Sequence, residues 1–123
     1  MERHADKPES LLPLPAAAFH ILLALAGGER HGYGIMQEVA RMTAGKLRLG
    51  PATLYRSIHR LLTDGLIIEV DERPDPTLDD ERRHYYRLTL FGAQVAAAEA
   101  QRLAHLVRLA QARQLLGGLE QYS

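Results

Sequence analysis

LGPATLYRSIHRLLTDGLI, residues 49–67, predicts one helix with a defined start and a defined end. Gly50 suits the N-cap and Pro51 suits the first helical position, where no backbone N–H is needed. Gly65 is placed to end the helix in a left-handed conformation, and Leu66 then folds back onto the last turn. These signals set both boundaries of the helix around which the rest of the chain is arranged.

The two faces of this helix differ in chemistry. Its apolar stripe, at helical spacing, consists of Leu54, Ile58, Leu61 and Leu62. This stripe predicts the side that packs in the core. The opposite side consists of Ala52, Arg56, His59, Arg60 and Thr63, with Thr53 and Ser57 nearer its margin. A buried stripe behind a basic, hydrogen-bonding face is what a helix needs to enter a groove of DNA.

The charges of the 123-residue chain sum to zero, but they are unevenly distributed. Residues 39–63 contain no acid and five bases, which are Arg41, Lys46, Arg48, Arg56 and Arg60. Residues 69–81 reverse the sign, with seven acids against Arg73 alone. Because attraction to phosphate depends on the local field, a neutral chain with a basic segment around one helix remains a DNA-binding candidate.

Two further helices precede the quoted stretch. Pro15 starts a first helix that is apolar nearly all round and stops at Gly27, so we expect it to be covered on more than one side. The sequence HGYG at 31–34 opens a second helix, which Gly45 ends. Residues 46–49 alternate polar and apolar, as a short strand would. Two helices joined in this order predict a helix-turn-helix.

After the quoted helix, the pattern of apolar residues changes from a helical to a strand-like period. Residues 66–70 and 84–89 predict two strands rich in aromatic and β-branched residues. The acidic loop 73–82, with two prolines, joins them. A hairpin directly after a helix-turn-helix is a wing. Thr89 suits the N-cap of a last helix that extends to about Leu116.

The predicted last helix is about 40 Å long at 1.5 Å per residue, more than the small body before it can cover. Its broad apolar stripe therefore predicts a second copy of the chain. The residues assigned to this dimer interface are Phe19, Leu22, Val95, Ala98, Arg102, Leu106 and Leu109.

Motifs of other functional classes are missing from the sequence. There is no cysteine, and the six histidines have no ligand-like spacing. Neither a nucleophile elbow nor a glycine-rich phosphate loop is present. The apolar stretch 11–28 is too short and too interrupted to span a bilayer. We therefore predict a cytoplasmic protein with no catalytic residues, metal or cofactor and no membrane partner.

Several motifs together resemble the PadR family of bacterial transcriptional regulators. They are HGYGI at 31–35, GPATLYR at 50–56, RL at 60–61, GLI at 65–67, and RHYYRLT at 83–89 with Gly92. The resemblance covers about residues 14–116, and the short tail is similar to the compact subgroup of the family. It implies a winged-helix domain, a homodimer held by the C-terminal helix and, usually, repression of a nearby operon. In some members a small aromatic or cationic compound near the dimer interface releases the DNA.

The resemblance also assigns residues by position. The recognition helix contributes Thr53, Tyr55, Arg56, Ser57, His59 and Arg60, and the wing contributes Arg83 and Tyr85 as phosphate contacts. Arg48 is added from the acid-free segment. We expect Arg56 or Arg60 to contact guanine in a bidentate manner. The acidic loop 73–82 departs from what a wing beside phosphates requires, so its tip is expected to point away from DNA or to contact something else.

The predicted fold is mainly α with a small antiparallel β-hairpin, a winged helix-turn-helix plus a long C-terminal dimerisation helix. Its segments are a flexible N-terminal segment (1–13), the DNA-binding domain (14–89), the dimerisation helix (90–118) and a tail (119–123). The predicted function is that of a homodimeric repressor that binds a palindromic operator in double-stranded DNA. Two alternatives remain open: a protein-interaction module whose acidic wing meets a basic partner, and a carrier of a small hydrophobic effector between the first and last helices.

Overall fold

Four helices and a three-stranded sheet form the part of the chain that a computed structural model describes, residues 7–74 and 82–122. The helices are α1 (Ala16–Ala26), α2 (Gly32–Met42), α3 (Pro51–Thr63) and α4 (Leu90–Ala112). The strands are β1 (Arg30–His31), β2 (Ile67–Pro74) and β3 (Arg82–Leu88). Single turns of 3-10 helix lie at Pro8–Leu11 and Leu119–Tyr122. The predicted mainly helical, winged-helix architecture is confirmed.

Helix α3 begins and ends where the sequence predicts. Gly50 is its N-cap in an extended conformation, and Gly65 follows it with φ at +76°. The Leu66 N–H donates to the Leu61 carbonyl at 2.9 Å, which closes the helix end. The fully buried side chains of α3 are Leu54, Ile58 and Leu61. The helix is thus held by its own caps and by one aliphatic stripe in the core.

Helix α1 lies at the centre of the core and packs against α2, α3, α4 and β3. Its Ile21 and Leu22 side chains are completely buried, together with Ile35 and Val39 of α2. Contacts on several sides explain why α1 is apolar nearly all round. The expectation that other elements cover it is confirmed within a single subunit.

The sheet contains one strand that the sequence did not predict. Its order is β1-β3-β2, and β1 pairs with β3 through Arg30 opposite Tyr86. Strands β2 and β3 form the predicted antiparallel hairpin, with Ile67 opposite Leu88. A strand of two residues is too short to show an alternating pattern, and it exists because β3 offers a free edge beside it. The tip of the wing, residues 75–81, lies outside the described residues.

The short strand predicted at residues 46–49 is wrong. This segment has no regular secondary structure, and in the described part of the sheet β3 pairs with β1 and β2 instead. Its backbone is held instead by Thr43, whose hydroxyl accepts from the Leu47 N–H at 3.0 Å. Leu49 is buried and anchors the segment to the core. The alternation in the sequence therefore reflects anchoring of a loop.

The predicted end of the last helix also needs correction. The last helix ends at Ala112, short of Leu116, because Gln114 adopts a left-handed conformation at φ +61° and the Leu115 N–H turns back to the Ala110 carbonyl. Part of the N-terminal segment, for which flexibility stays a prediction, packs on the domain. Its Pro8–Leu11 turn lies against α4, and its leucines pack on the core. Apolar side chains that find a core surface become ordered, whatever the polarity of their neighbours.

Helix α4 starts from a fixed position on the turn after α3. The Thr89 hydroxyl caps α4 by accepting from the Gly92 N–H at 2.9 Å, and it donates to the Gly65 carbonyl at 2.7 Å. The Thr89 N–H donates to the Leu66 carbonyl at 3.1 Å. These bonds set the direction in which α4 leaves the winged-helix domain.

Candidate nucleic-acid interface

The polar side of α3 is exposed where the sequence predicted it. The side chains of Tyr55, Arg56, His59 and Arg60 are exposed, and those of Thr53 and Ser57 are half-buried. They lie opposite the buried stripe of α3, so the helix cannot rotate to hide them without exposing the core. The structure thus presents six candidate DNA-binding residues on one helical surface.

The basic side chains around α3 differ in whether a carboxylate already pairs with them. Arg60 forms an ion pair with Asp64 at 3.3 Å, but its side chain is 78% exposed, so the pair contributes little and separates readily. Arg41 donates to Glu38 at 2.9 Å. This hydrogen bond lowers the pKa of Glu38 and gives Arg41 a carboxylate partner within α2. Within residues 7–70 and 84–121, Arg56 has no carboxylate in ion-pair contact, which makes it the most available cation of the α3 surface.

Tyr55 connects α3 to the start of α2. Its ring lies directly over Gly32, where a Cβ would come within 3.0 Å of the phenol carbon Cζ. Glycine at this position therefore allows the close approach of the two helices. The Tyr55 side chain remains 52% exposed, so part of it faces solvent beside the polar side of α3.

The wing is attached to the N-terminus of α2 through an aromatic contact. The rings of Tyr85 and His31 meet edge to face, with centroids 5.2 Å apart. His31 also caps α2, because its Nδ1 accepts from the Gly34 N–H at 2.9 Å. Tyr85 is half-buried by this packing, whereas the side chain of Arg83 lies outside the described residues. Arg48 is exposed in the segment before α3.

The predicted dimer residues do not share one surface. Leu22 and Val95 are completely buried in the core of their own subunit, so in this structure neither has surface left for a second copy to cover. Phe19 and Ala98 are half-buried. Leu106 and Leu109 are 47% and 45% exposed on the second half of α4. Spacing along α4 did not reveal that its first half packs on α1, whereas the apolar side chains of its second half are exposed among the described residues.

Glu99 lies at the centre of a buried hydrogen-bond cluster that the sequence did not predict. Its carboxylate is only 2% exposed and accepts from the Leu14 N–H at 3.1 Å. It also accepts from Arg102, at 2.6 Å from Nε and 3.0 Å from Nη2. The Arg102 guanidinium holds the pKa of Glu99 below its usual value despite burial. Arg102, assigned to the dimer interface, is therefore engaged within its own subunit.

A signal for this cluster was present in the sequence. Glu99 follows Val95 by four residues and precedes Arg102 by three, so one acid interrupts the apolar side of α4 with a base one turn later. Such a pair indicates a buried charge with its own partner. Its second partner, the backbone of Leu14, lies 85 residues away and could not be found locally.

Within residues 7–74 and 82–122 there is no cluster of three side chains suited to hold a metal ion. Across the same residues, no helix combines the length and the apolar character needed to cross a membrane.

A helix-turn-helix followed by a hairpin, with an exposed basic helix, defines the winged-helix class. Residues 21–98 match the model of the transcriptional regulator PadR-like family, and the chain belongs to that family. It is 35% identical over 103 residues to the transcriptional regulator Rv3488 of Mycobacterium tuberculosis, covering 84% of this chain and 85% of that protein.

Solved structures share the fold. A transcriptional regulator from Clostridium thermocellum superposes with a TM-score of 0.65 at 24% identity, over 77% of this chain and 86% of that one. A PadR family regulator from Clostridium difficile gives 0.64 at 21% identity, over 84% and 100%. Bacillus subtilis PadR, in complex with operator DNA, gives 0.60 at 22% identity, over 70% of this chain and 47% of that one.

Proposed function

We propose that this transcriptional regulator binds double-stranded DNA through α3 and represses transcription in the cytoplasm as a homodimer on a palindromic operator. One observation carries the proposal: α3 presents Arg56, His59 and Arg60 to solvent while three buried aliphatic side chains hold the helix in place. The similar Bacillus subtilis PadR forms a complex with operator DNA, which supports the same use of this fold.

Arg56 is the strongest candidate for base recognition. No carboxylate of the described residues pairs with it, so it reaches a guanine without first breaking an ion pair. A bidentate contact of this kind contributes about 1–3 kcal/mol of discrimination against the wrong base. Arg60 gives up its exposed pair with Asp64 at small cost. We expect Thr53, in the first turn of α3, to contact phosphate near the positive end of the helix.

The homodimer is proposed from the second half of α4. Leu106, Val107 and Leu109 are each nearly half exposed there, and a second copy would cover them. A separation of about 34 Å between the two copies of α3 would match one turn of DNA. Release of DNA by a small aromatic or cationic effector near this interface belongs to the same proposal.

The decisive experiment selects bound DNA from a random pool and then measures the affinity of variants by fluorescence anisotropy. We expect Arg56→Ala to weaken specific binding by about tenfold or more, and Arg56→Ala with Arg60→Ala to abolish it. Affinity should fall steeply with salt, and each lost phosphate contact should reduce that slope. Arg113→Ala, which removes an exposed charge just beyond the end of α4, is the matched control. A double variant that binds like the wild type would disprove the proposal.

A further inference from the structure

A cleft of about 500 Å³ opens beside α3, on the side that faces α1 and the N-terminal segment. Small-molecule sites in proteins commonly measure about 300–1,000 Å³. One wall is aliphatic and includes Leu11, Leu14 and Ala18. The opposite rim is polar and includes Arg56, His59 and Arg60. The candidate DNA-binding cations therefore line a cavity as well as a surface.

The charges of the rim favour a negatively charged ligand. Among the described residues that line the cleft, Asp64 is the single acid, and Arg60 already pairs with it at 3.3 Å. Arg56 brings a second guanidinium with no carboxylate of the described residues in contact. Guanidinium groups bind carboxylates through two parallel hydrogen bonds. The rim thus complements one anionic group.

The wall selects the shape of the rest of the ligand. In the part of the chain that the structure describes, it offers leucine, proline and alanine side chains, and no phenylalanine or tyrosine ring on which an aromatic ligand would stack. Leu11 and Leu14 are both half-buried, so each has apolar surface left to cover. An unbranched alkyl chain fits such a surface.

We propose that this cleft binds an aliphatic monocarboxylate of medium chain length. Its carboxylate pairs with Arg56, and its alkyl chain lies against Leu11 and Leu14. A second step rests on the proposed function: because Arg56 and Arg60 would also contact DNA, the ligand and the operator compete for the same side chains. The cleft would then be a site at which such an acid relieves binding to DNA directly on the α3 surface.

The first test measures ligand binding without DNA, by titration calorimetry of the full chain with octanoate below its micellar concentration. Two control probes each keep one feature of octanoate. Octylamine keeps the alkyl chain but carries a positive charge, and acetate keeps the carboxylate but lacks the alkyl chain. We expect one octanoate per chain and at least tenfold weaker binding of both controls. Equal binding of octylamine, or no saturable binding of octanoate, would overturn the proposal.

Matched variants then locate the site. Arg56→Gln and Lys46→Gln each remove one charge from the same acid-free segment, but only Arg56 lines the cleft. Leu11→Gln and Leu12→Gln each remove one half-buried leucine, but only Leu11 lines it. We expect the first member of each pair to weaken octanoate binding by about tenfold and the second to leave it unchanged. Thermal melts confirm folding, and equal loss within either pair refutes the assignment.

The second test adds DNA selected by the wild-type protein. Octanoate should raise the apparent Kd for this DNA in proportion to its occupancy of the cleft, while octylamine and acetate should not. If octanoate binds but leaves the affinity for DNA unchanged, the proposed competition between ligand and operator is wrong. A chain that binds octanoate but no DNA would disprove the proposed function and still support the cleft as a carboxylate site.

Discussion

Gly92 lies where α4 crosses the turn after α3, and one added methyl group tests how these elements are joined. A Cβ at Gly92 would lie 2.8 Å from the Leu66 carbonyl carbon, and nearer still to its oxygen. Two hydrogen bonds cross the same junction, from the Thr89 N–H to the Leu66 carbonyl at 3.1 Å and from the Thr89 hydroxyl to the Gly65 carbonyl at 2.7 Å. Gly92→Ala therefore pushes against backbone that no side-chain rotation can relieve.

The magnitude follows from this geometry. The Leu66 carbonyl carbon must recede by about 0.6 Å to reach an ordinary 3.4 Å contact, and the oxygen by more. That movement weakens both crossing hydrogen bonds, each contributing about 1 kcal/mol net, and it strains the core around Val95 by about 1–3 kcal/mol. Helix propensity acts in the opposite sense, because alanine in place of glycine favours a helix by about 0.5–1 kcal/mol. We expect a net loss of about 3 kcal/mol in the free energy of unfolding.

Urea unfolding followed by circular dichroism measures this loss, at one fixed protein concentration because association would add to stability. Ala93→Gly is the matched control: it removes an exposed methyl group from the next position and should cost only the propensity term, about 0.5–1 kcal/mol. The steric clash predicts that Gly92→Ala lowers the free energy of unfolding, whereas helix propensity alone predicts that it raises it. A variant as stable as the wild type, or more stable, would refute the argument that the α4 junction requires glycine.

Two further predictions concern α4. Glu99→Gln should lower the free energy of unfolding by about 2 kcal/mol at pH 7, because it weakens charge-assisted hydrogen bonds in a buried site. Because the folded-state pKa of Glu99 is lowered, the ionised carboxylate stabilises the fold above the unfolded-state pKa, and this stabilisation disappears as pH falls through the folded-state pKa. In urea unfolding, the difference in stability between Glu99→Gln and wild type should therefore be smaller at pH 3 than at pH 7. A difference that stays constant would contradict this. Leu106→Asp should convert the proposed dimer into monomers in size-exclusion chromatography with light scattering, whereas Gln101→Asp, exposed on the other side of α4, should not. A dimer that survives Leu106→Asp would exclude this half of α4 from the interface.

The amino-acid sequence by itself determined the elements whose signals are local. Gly50, Pro51 and Gly65 set the ends of α3 because capping acts within a single turn. The buried stripe followed from the helical period, and that stripe also determined which side of α3 faces solvent. The fold class and the exposure of Arg56 and Arg60 were therefore predictable without tertiary contacts.

Only the tertiary structure decided features that join distant parts of the chain. Strand β1 exists because β3 lies beside it, and the Glu99 carboxylate meets a backbone N–H 85 residues away. Val95 and Leu106 share one apolar stripe, yet α1 covers the first and leaves the second exposed. The cleft beside Arg56 likewise depends on where the N-terminal segment packs. A periodic pattern specifies which face of a helix is apolar, whereas the neighbour that covers it depends on packing between elements far apart in sequence.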